Sequence, residues 1–206
     1  MSFSDWLLQT KPIMPVIALD DVEQAQPLAE SLIAGGINFL EITLRTNAGL
    51  PAIELLRKTV PHAIVGVGTV TTEEDMLASL DAGAQFAISP GINPVLCECA
   101  KKHALPYMPG VMTPSDILTG IEYGFDYLKF FPAEQAGGMS MIKSLQGPFP
   151  KIKFCPTGGI NAENAYGYLA LSNVDLVGGT WLAPQTLIRE GKWNEITELA
   201  KRFSCV

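Results

Sequence analysis

The chain has 206 residues, of which 48% are hydrophobic and 17% charged, and its formal net charge is −7. This length is enough for a single domain, residues 1–206, with a substantial core, and the apolar content argues against intrinsic disorder. The acidic balance, without a run of lysines or arginines, makes nucleic acid and anionic membranes poor partners.

The first predicted element is an extra N-terminal helix over SDWLLQT, residues 4–10, with Trp6 and Leu7 packed under the first strand. The same end of the chain lacks the basic start and apolar core of a signal peptide, and no stretch of about 18 apolar residues predicts a membrane span. The cysteines form no C-x-x-C pair or zinc pattern, so we expect reduced thiols and a cytoplasmic location. They are Cys97, Cys99, Cys155 and Cys205.

Eight short apolar runs then follow one another, spaced by roughly 20 to 25 residues. They are IMPVIAL (13–19), INFLEITL (37–44), AIVGVGTV (63–70), QFAISPG (85–91), LPYMPGV (105–111), YLKFFPA (127–133), IKFCPTGG (152–159) and VDLVGGT (174–180). The segments between them have helical periodicity, with Asp20 or Asp21, Thr71 or Thr72, and the TPSD segment at helix starts and glycines at helix ends.

Strands that alternate with helices indicate parallel βαβ units, and eight units in about 200 residues fit the smallest (β/α)8 barrels. The predicted fold is therefore an α/β (β/α)8 TIM barrel. A doubly wound open sheet is the alternative, but the segment after the first strand, IALDDVEQA, has none of the glycines of a dinucleotide fingerprint.

The second strand divides its side chains between two faces. Leu40, Ile42 and Leu44 suit the interface with helices, which leaves Glu41, Thr43 and Arg45 directed into the barrel. A structural Glu41–Arg45 ion pair is one interpretation, although a buried pair contributes little stability. A functional site is the other, because Arg45 comes at the carboxyl end of its strand, where barrel enzymes place their sites.

The sixth strand contains a lysine in an apolar run. Leu128 and Phe130 suit the helix-facing side, so Lys129 and Phe131 point inward. Without Glu41 and Arg45 in the same interior, Lys129 would be expected to extend to water. With them, a desolvated neutral amine can add to a ketone and form a Schiff base, and Glu41 is the acid/base that moves the protons.

The remaining strand ends carry small and polar residues. The glycine turns after the last two strands, each with a threonine, predict a phosphate site built from backbone N–H groups. His62 and His103 lie at helix-to-strand junctions, away from this end of the barrel. No metal-ligand spacing is present at the strand ends, so we expect neither a metal nor a cofactor.

Six motifs, EITLRT, VGVGTV, FAISPG, KFFPAE, CPTGGI and GGTWL, together resemble the family of aldolases for 2-dehydro-3-deoxy-phosphogluconate (KDPG) and 4-hydroxy-2-oxoglutarate (KHG). They occur in the family's order along nearly the whole chain. The resemblance implies a homotrimeric class I aldolase of the Entner–Doudoroff pathway, a lyase that cleaves KDPG to pyruvate and glyceraldehyde 3-phosphate and also acts on KHG.

The resemblance also implies a role for each site residue. Lys129 matches the Schiff-base lysine and Glu41 the acid/base. The residues that match substrate-binding positions are Arg45 and Thr69 for the carboxylate end, Pro90 and Phe131 for the pocket wall, and Gly158, Gly159, Gly179 and Thr180 for the phosphate turns. The strand-end pattern adds Thr157 to the first of these turns. Thr180 stands where serine is common in the family, which leaves the phosphate contacts open.

Other functions are compatible with parts of this pattern. An aldolase for the galactonate-type substrate would share the lysine and the acid. A lysine beside a phosphate site also suits pyridoxal phosphate. A non-catalytic sensor of phosphorylated sugar acids would not need both Lys129 and Glu41, and an isomerase barrel would leave the inward lysine unexplained.

Overall fold

The computed structural model describes residues 3–7 and 9–204, so Cys205 and part of the predicted N-terminal helix lie outside the described residues. Within this part of the chain, short parallel strands alternate with helices, which confirms the predicted α/β class. The strands are β1 (Ile13–Ile17), β2 (Phe39–Thr43), β3 (Ile64–Gly68), β4 (Ala87–Ile88), β5 (Tyr107–Met108), β6 (Gly110–Val111), β7 (Tyr127–Phe130), β8 (Lys153–Pro156) and β9 (Val177–Gly179).

The helices occupy most of the chain between these strands. They are α1 (Phe3–Leu7), α2 (Ala25–Ala34), α3 (Gly49–Thr59), α4 (Glu73–Asp81), α5 (Pro94–Lys102), α6 (Pro114–Glu122), α7 (Gly138–Leu145), α8 (Ala165–Leu169), α9 (Gln185–Arg189) and α10 (Trp193–Ser204), with a 3-10 helix at Val22–Gln24.

The strands form two parallel sheets. The larger has the order β5-β4-β3-β2-β1-β9, and the smaller has the order β6-β7-β8. The fifth predicted apolar run is divided between them, because Pro109 has no N–H to donate and separates β5 from β6. On the other side, isolated parallel bridges join Phe154 to Val174 and Thr157 to Gly178.

Helix starts follow the predicted capping chemistry. Thr72 and Thr113 each accept a hydrogen bond from the backbone N–H three residues later, in full capping boxes. Asp21, rather than Asp20, caps the 3-10 helix that precedes α2. At the helix ends, Gly83 and Gly124 have φ of 86° and 75°, a conformation that glycine adopts without steric cost.

Two apolar clusters form the core. The outer cluster packs helices on strands and includes Leu40, Ile42, Leu128 and Phe130. The inner cluster lies between the two sheets, because its members come from strands of both and from α1. It consists of Phe3, Trp6, Met14, Phe39, Phe86, Ile88, Met108, Cys155 and Leu176. Across the described residues, no helix has the length and apolarity to cross a bilayer.

Candidate active site

Glu41 and Lys129 meet between the two sheets. The Nζ of Lys129, on β7, donates a hydrogen bond to Oε1 of Glu41, on β2, across 3.3 Å. The side chains are 3% and 0% exposed, respectively. The strand pattern predicts this encounter, because the neighbours of each residue pack in the outer cluster while Glu41 and Lys129 point to the other side.

One oxygen of the Glu41 carboxylate has no partner. Its Oε2 is buried and makes no hydrogen bond to any described residue. An unsatisfied buried acceptor costs about 1–3 kcal/mol, so such an atom usually has a ligand or a proton to receive. Gly68 on β3 lies directly against this carboxylate, and a Cβ at that position would overlap Oε1, so glycine makes the space that Glu41 occupies.

Of the predicted pocket residues, Phe131 lies next to the lysine, while Thr69 and Pro90 follow the neighbouring strands β3 and β4. The Nζ of Lys129 lies 5.3 Å from the centroid of the half-buried Phe131 ring. Thr69, half-buried just after β3, has φ of 64°, which is uncommon for a β-branched residue. Pro90 is exposed in the turn after β4, and this turn is held by the Ser89 hydroxyl, which donates to the carbonyl of Gly91 at 2.6 Å.

Arg45 lies apart from the Glu41–Lys129 pair. Because β2 ends at Thr43, Arg45 belongs to the following turn and its side chain is exposed. Neither the predicted convergence of three buried charges nor the alternative Glu41–Arg45 ion pair is therefore observed among the described residues. The strand alternation that places Glu41 correctly was extended two residues too far.

The first glycine turn follows β8. Gly158 and Gly159 have φ of 96° and 79°, which side chains with a Cβ rarely adopt. The carbonyls of Thr157 and Gly158 accept hydrogen bonds from the N–H groups of residues 133 and 134, and that of Gly159 accepts from the side chain of Asn164. The N–H groups of Gly158, Gly159 and Ile160 have no acceptor within residues 3–7 and 9–204. Adjacent free N–H groups of this kind can bind an anion.

The second glycine turn follows β9. Gly179 is buried against the ring of Trp181, where a Cβ would overlap the indole, and Thr180 is exposed beside it. The bridge between Thr157 and Gly178 brings the two turns together. The exposed Thr180 hydroxyl is therefore on a turn that neighbours the free N–H groups of the first turn.

Sequence reasoning missed Cys155, which is next to Lys129 in the β7–β8 register and fully buried. Burial raises the pKa of Cys155 to about 12, so the thiol stays protonated and acts as a small apolar wall of the site. Cys155 is two residues before Thr157, so strand alternation places both side chains on the same face. This spacing could have identified Cys155 as a residue of the site. His62 and His103 are exposed at helix-to-strand junctions, as predicted.

The residues present do not suggest a metal centre. No group of three or more His, Cys, Asp and Glu side chains in the described part of the chain is placed to hold a metal ion. Among the described residues, the arrangement offers a shielded amine, a carboxylate with one oxygen that makes no hydrogen bond, and a turn whose N–H groups have no acceptor. This combination suits addition of the amine to a carbonyl in an anionic substrate.

Comparisons with known proteins agree with this chemistry. The family model described as KDPG and KHG aldolase matches residues 5–199. The 2-dehydro-3-deoxy-phosphogluconate aldolase of Pseudoalteromonas atlantica is 48% identical over 191 residues, which are 93% of this chain and 89% of that protein. The KHG/KDPG aldolase of Escherichia coli K12 is 44% identical over 195 residues, 95% of this chain and 92% of its own length.

A solved structure of a KDPG aldolase also has the same fold as this chain. The KDPG aldolase of Legionella pneumophila, captured with pyruvate as a covalent carbinolamine intermediate, superposes with a TM-score of 0.94. It is 45% identical, and the match covers 96% of both chains. The chain described here belongs to the KDPG and KHG aldolase family.

Proposed function

We propose that the chain is a class I aldolase that cleaves KDPG to pyruvate and glyceraldehyde 3-phosphate, with Lys129 as the nucleophile and Glu41 as the acid/base. The observation that carries the proposal is the buried contact between the two side chains, in which one carboxylate oxygen has no partner among residues 3–7 and 9–204. An amine beside a carboxylate is also the pair that Schiff-base chemistry requires.

The proposed reaction begins when the neutral amine of Lys129 adds to the C2 ketone of the substrate. Loss of water from the resulting carbinolamine leaves an iminium ion, which can accept an electron pair. Glu41 takes the proton of the C4 hydroxyl, directly or through a water molecule, and the C3–C4 bond breaks. The electron pair of the broken C3–C4 bond forms the enamine while the aldehyde product leaves. Glu41 then returns a proton to C3, and hydrolysis of the iminium frees pyruvate and the amine.

The remaining predicted residues would bind the two ends of the substrate. Arg45 and Thr69 would hold the carboxylate, with Arg45 reaching in from the exposed turn after β2. Pro90 and Phe131 would line the pocket. The position of the Lys129 amine over the Phe131 ring supports this role for Phe131. The phosphate would bind at the glycine turns, with contacts from Thr157, Gly158, Gly159, Gly179 and Thr180.

A second substrate, KHG, follows from the family and from the Escherichia coli relative named KHG/KDPG aldolase. KHG shares the 2-keto acid end and the C4 hydroxyl but lacks the phosphate. An aldolase of the galactonate type and a non-catalytic binding barrel are the alternatives. Pyruvate release from KDPG and from KHG, measured in one coupled assay, distinguishes these functions.

The identity of the nucleophile is tested by trapping. Incubation with pyruvate and borohydride should add a stable mass to the peptide that contains Lys129. The adduct should be lost in Lys129→Met and kept in Lys143→Met, which alters an exposed lysine on α7. An adduct on another lysine, or none in an active preparation, contradicts the assignment.

The phosphate position is tested with Thr180→Val, which removes the hydroxyl and keeps the branched shape. Cleavage of KDPG should decline by roughly tenfold or more, while cleavage of KHG continues, because the lost hydrogen bond serves the phosphate alone. Equal losses on the two substrates would place the phosphate elsewhere.

The assembly is part of the same proposal. We take residues 1–206 to be a single domain in which the two sheets close into one (β/α)8 barrel with an extra N-terminal helix. Closure is supported by the one-residue separation of β5 and β6 and by the bridges that join Phe154 in β8 to Val174 and Thr157, just after β8, to Gly178. The homotrimer is proposed from the family resemblance alone. The cytoplasmic location is proposed from the resemblance and from the buried free thiols of Cys97, Cys99 and Cys155. Light scattering on the purified chain tests the trimer.

A further inference from the structure

Tyr168 is a fully buried tyrosine on α8 whose hydroxyl donates a hydrogen bond to Oε1 of Glu134. Burial, together with the neighbouring Glu134 carboxylate, raises the pKa of Tyr168, so the hydroxyl stays protonated and remains a donor. A phenylalanine would fill the same space without a polar atom to satisfy. The bond to Glu134 therefore needs an explanation beyond packing.

Glu134 contacts the first glycine turn with both its backbone and its side chain. Its N–H donates to the carbonyl of Gly158 at 3.1 Å. Its aliphatic carbons lie against Gly159 so closely that a Cβ on Gly159 would be 2.5 Å from the Cγ of Glu134. The turn thus rests on the stem of Glu134, and a movement of that stem would move the turn.

The Glu134 carboxylate is held to one side of this contact. Its Oε1 and the Tyr168 hydroxyl both lie beside Gly138 at the start of α7, where a Cβ would be 3.5 Å and 3.2 Å from the two oxygens. A free carboxylate next to an anion-binding turn would repel a phosphate. The hydrogen bond from Tyr168 instead holds the carboxylate beside Gly138.

The same helix supports the turn at a second point. Asn164 is the N-cap residue of α8, four positions before Tyr168, so the two side chains are neighbours along one side of the helix start. Its side-chain amide donates to the carbonyl of Gly159 at 3.0 Å. Every carbonyl from Thr157 to Gly159 is therefore bonded on the protein side, which leaves the N–H groups of the turn available to a ligand.

We infer that Tyr168 and Glu134 form a positioning pair that holds the 157–160 turn in its phosphate-binding conformation. The inference rests on the proposed function. The pair does not touch the reacting atoms, and it acts through the turn on the phosphorylated end of the substrate. It therefore matters for KDPG, whose phosphate is on C6, and not for KHG, which ends at C5.

The test compares KM and kcat for KDPG and KHG in Tyr168→Phe. The KM for KDPG should rise about fivefold, the value of one hydrogen bond, while kcat/KM for KHG stays within about twofold of the wild type. Inorganic phosphate should inhibit the variant less strongly, by a similar factor. Equal changes on both substrates would show a structural role and overturn the inference, as would no change on either.

Two further variants make the result specific. Tyr166→Phe is the matched control, since Tyr166 is on the same helix and donates to the carbonyl of Arg202 instead. It should behave as the wild type. Glu134→Ala removes both stem and acceptor from an exposed residue, so it should reproduce the KM effect even if Tyr168→Phe fails to fold. Glu134→Gln keeps the aliphatic stem and an oxygen that can accept the hydrogen bond from Tyr168, so it should retain most of the KDPG affinity.

The outcomes also separate this inference from the proposed function. If the wild-type chain cleaves neither substrate, the proposed function is wrong and the positioning pair is wrong with it. If the wild type cleaves both, and Glu134→Ala and Tyr168→Phe match it on KDPG, only the pair is wrong.

Discussion

At the scale of single residues, Glu41 has the most constrained surroundings in the candidate site. One of its oxygens contacts the Lys129 amine and the other has no partner in the described part of the chain, although the side chain is fully buried. Burying a carboxylate is costly, and a single ion pair repays that cost only in part. The arrangement is understandable if the free oxygen takes part in proton transfer.

Glu41→Gln tests this interpretation. The amide has the same shape as the carboxylate but cannot take up a proton at neutral pH, so kcat for KDPG should fall by ~10²–10⁴-fold. The Lys129 residue is unchanged, and trapping with pyruvate and borohydride should still label it, more slowly. Turnover within tenfold of the wild type would remove Glu41 from the proton-transfer step.

Gly68→Ala tests whether the carboxylate needs the space beside β3. The new Cβ would overlap Oε1 and displace Glu41, so the activity of the folded protein should fall by about tenfold or more. The matched control is Gly66→Ala on the same face of β3, where the Cβ meets the Phe86 ring instead. Both variants should lose stability in urea unfolding, and only Gly68→Ala should lose activity per folded molecule. Equal activities would contradict the steric argument.

At the scale of elements, α4 and α6 begin with the same device. The carboxylates of Asp75 and Asp116 each accept hydrogen bonds from the backbone N–H groups of the capping threonine and of the residue before it. Partial burial acts to raise the pKa of each carboxyl, but these hydrogen bonds outweigh it and leave both pKa values below the usual range. The ionised form therefore stabilises the fold.

Asp116→Asn should accordingly reduce stability in a pH-dependent way. A pKa that is lower in the folded than in the unfolded state adds stability above the unfolded pKa, and this gain is lost as pH falls through the folded pKa. The variant should lose about 1 kcal/mol at pH 7 and less at an acidic pH below the folded pKa of Asp116. Urea unfolding at both pH values measures the difference. Glu122→Gln, at the exposed end of α6, should stay within ~0.5 kcal/mol at either pH.

At the scale of the whole molecule, the inner cluster connects the two sheets and the N-terminal helix. Trp6 packs against Phe39 and Phe86, whose rings lie 4.7 Å apart, and Phe3 packs against the same two rings. These aromatic side chains come from α1, from β2 and from the residue just before β4. The helix therefore contributes to the core between the sheets and not only to the surface.

Trp6→Ala should show this contribution. Removing the ring from a site that is only 4% exposed leaves a cavity and should cost ~3–5 kcal/mol of unfolding free energy. Leu118→Ala is the contrasting variant, because Leu118 is 58% exposed and its loss should cost less than about 0.5 kcal/mol. Denaturant unfolding monitored by circular dichroism compares them. Equal effects would show that α1 does not stabilise the core.

The sequence allowed the direction of buried side chains to be predicted better than the ends of elements. Alternation along β2 and β7 was enough to bring Glu41 and Lys129 together. It failed for Arg45, because nothing in EITLRT indicates that the strand ends at Thr43. The bond between Tyr168 and Glu134 joins residues 34 positions apart, and only the folded chain reveals such a contact.

The partition of the reactive pair between two sheets has a consequence for biosynthesis. Glu41 and Lys129 are 88 positions apart, so a growing chain contains the acid long before it contains the nucleophile. The lysine arrives with β7, and its shielded position requires β7 to dock beside the sheet that carries Glu41. On the proposed mechanism, the Glu41–Lys129 pair therefore forms only late in translation, and we expect a nascent chain that ends before β7 not to bind pyruvate as a Schiff base.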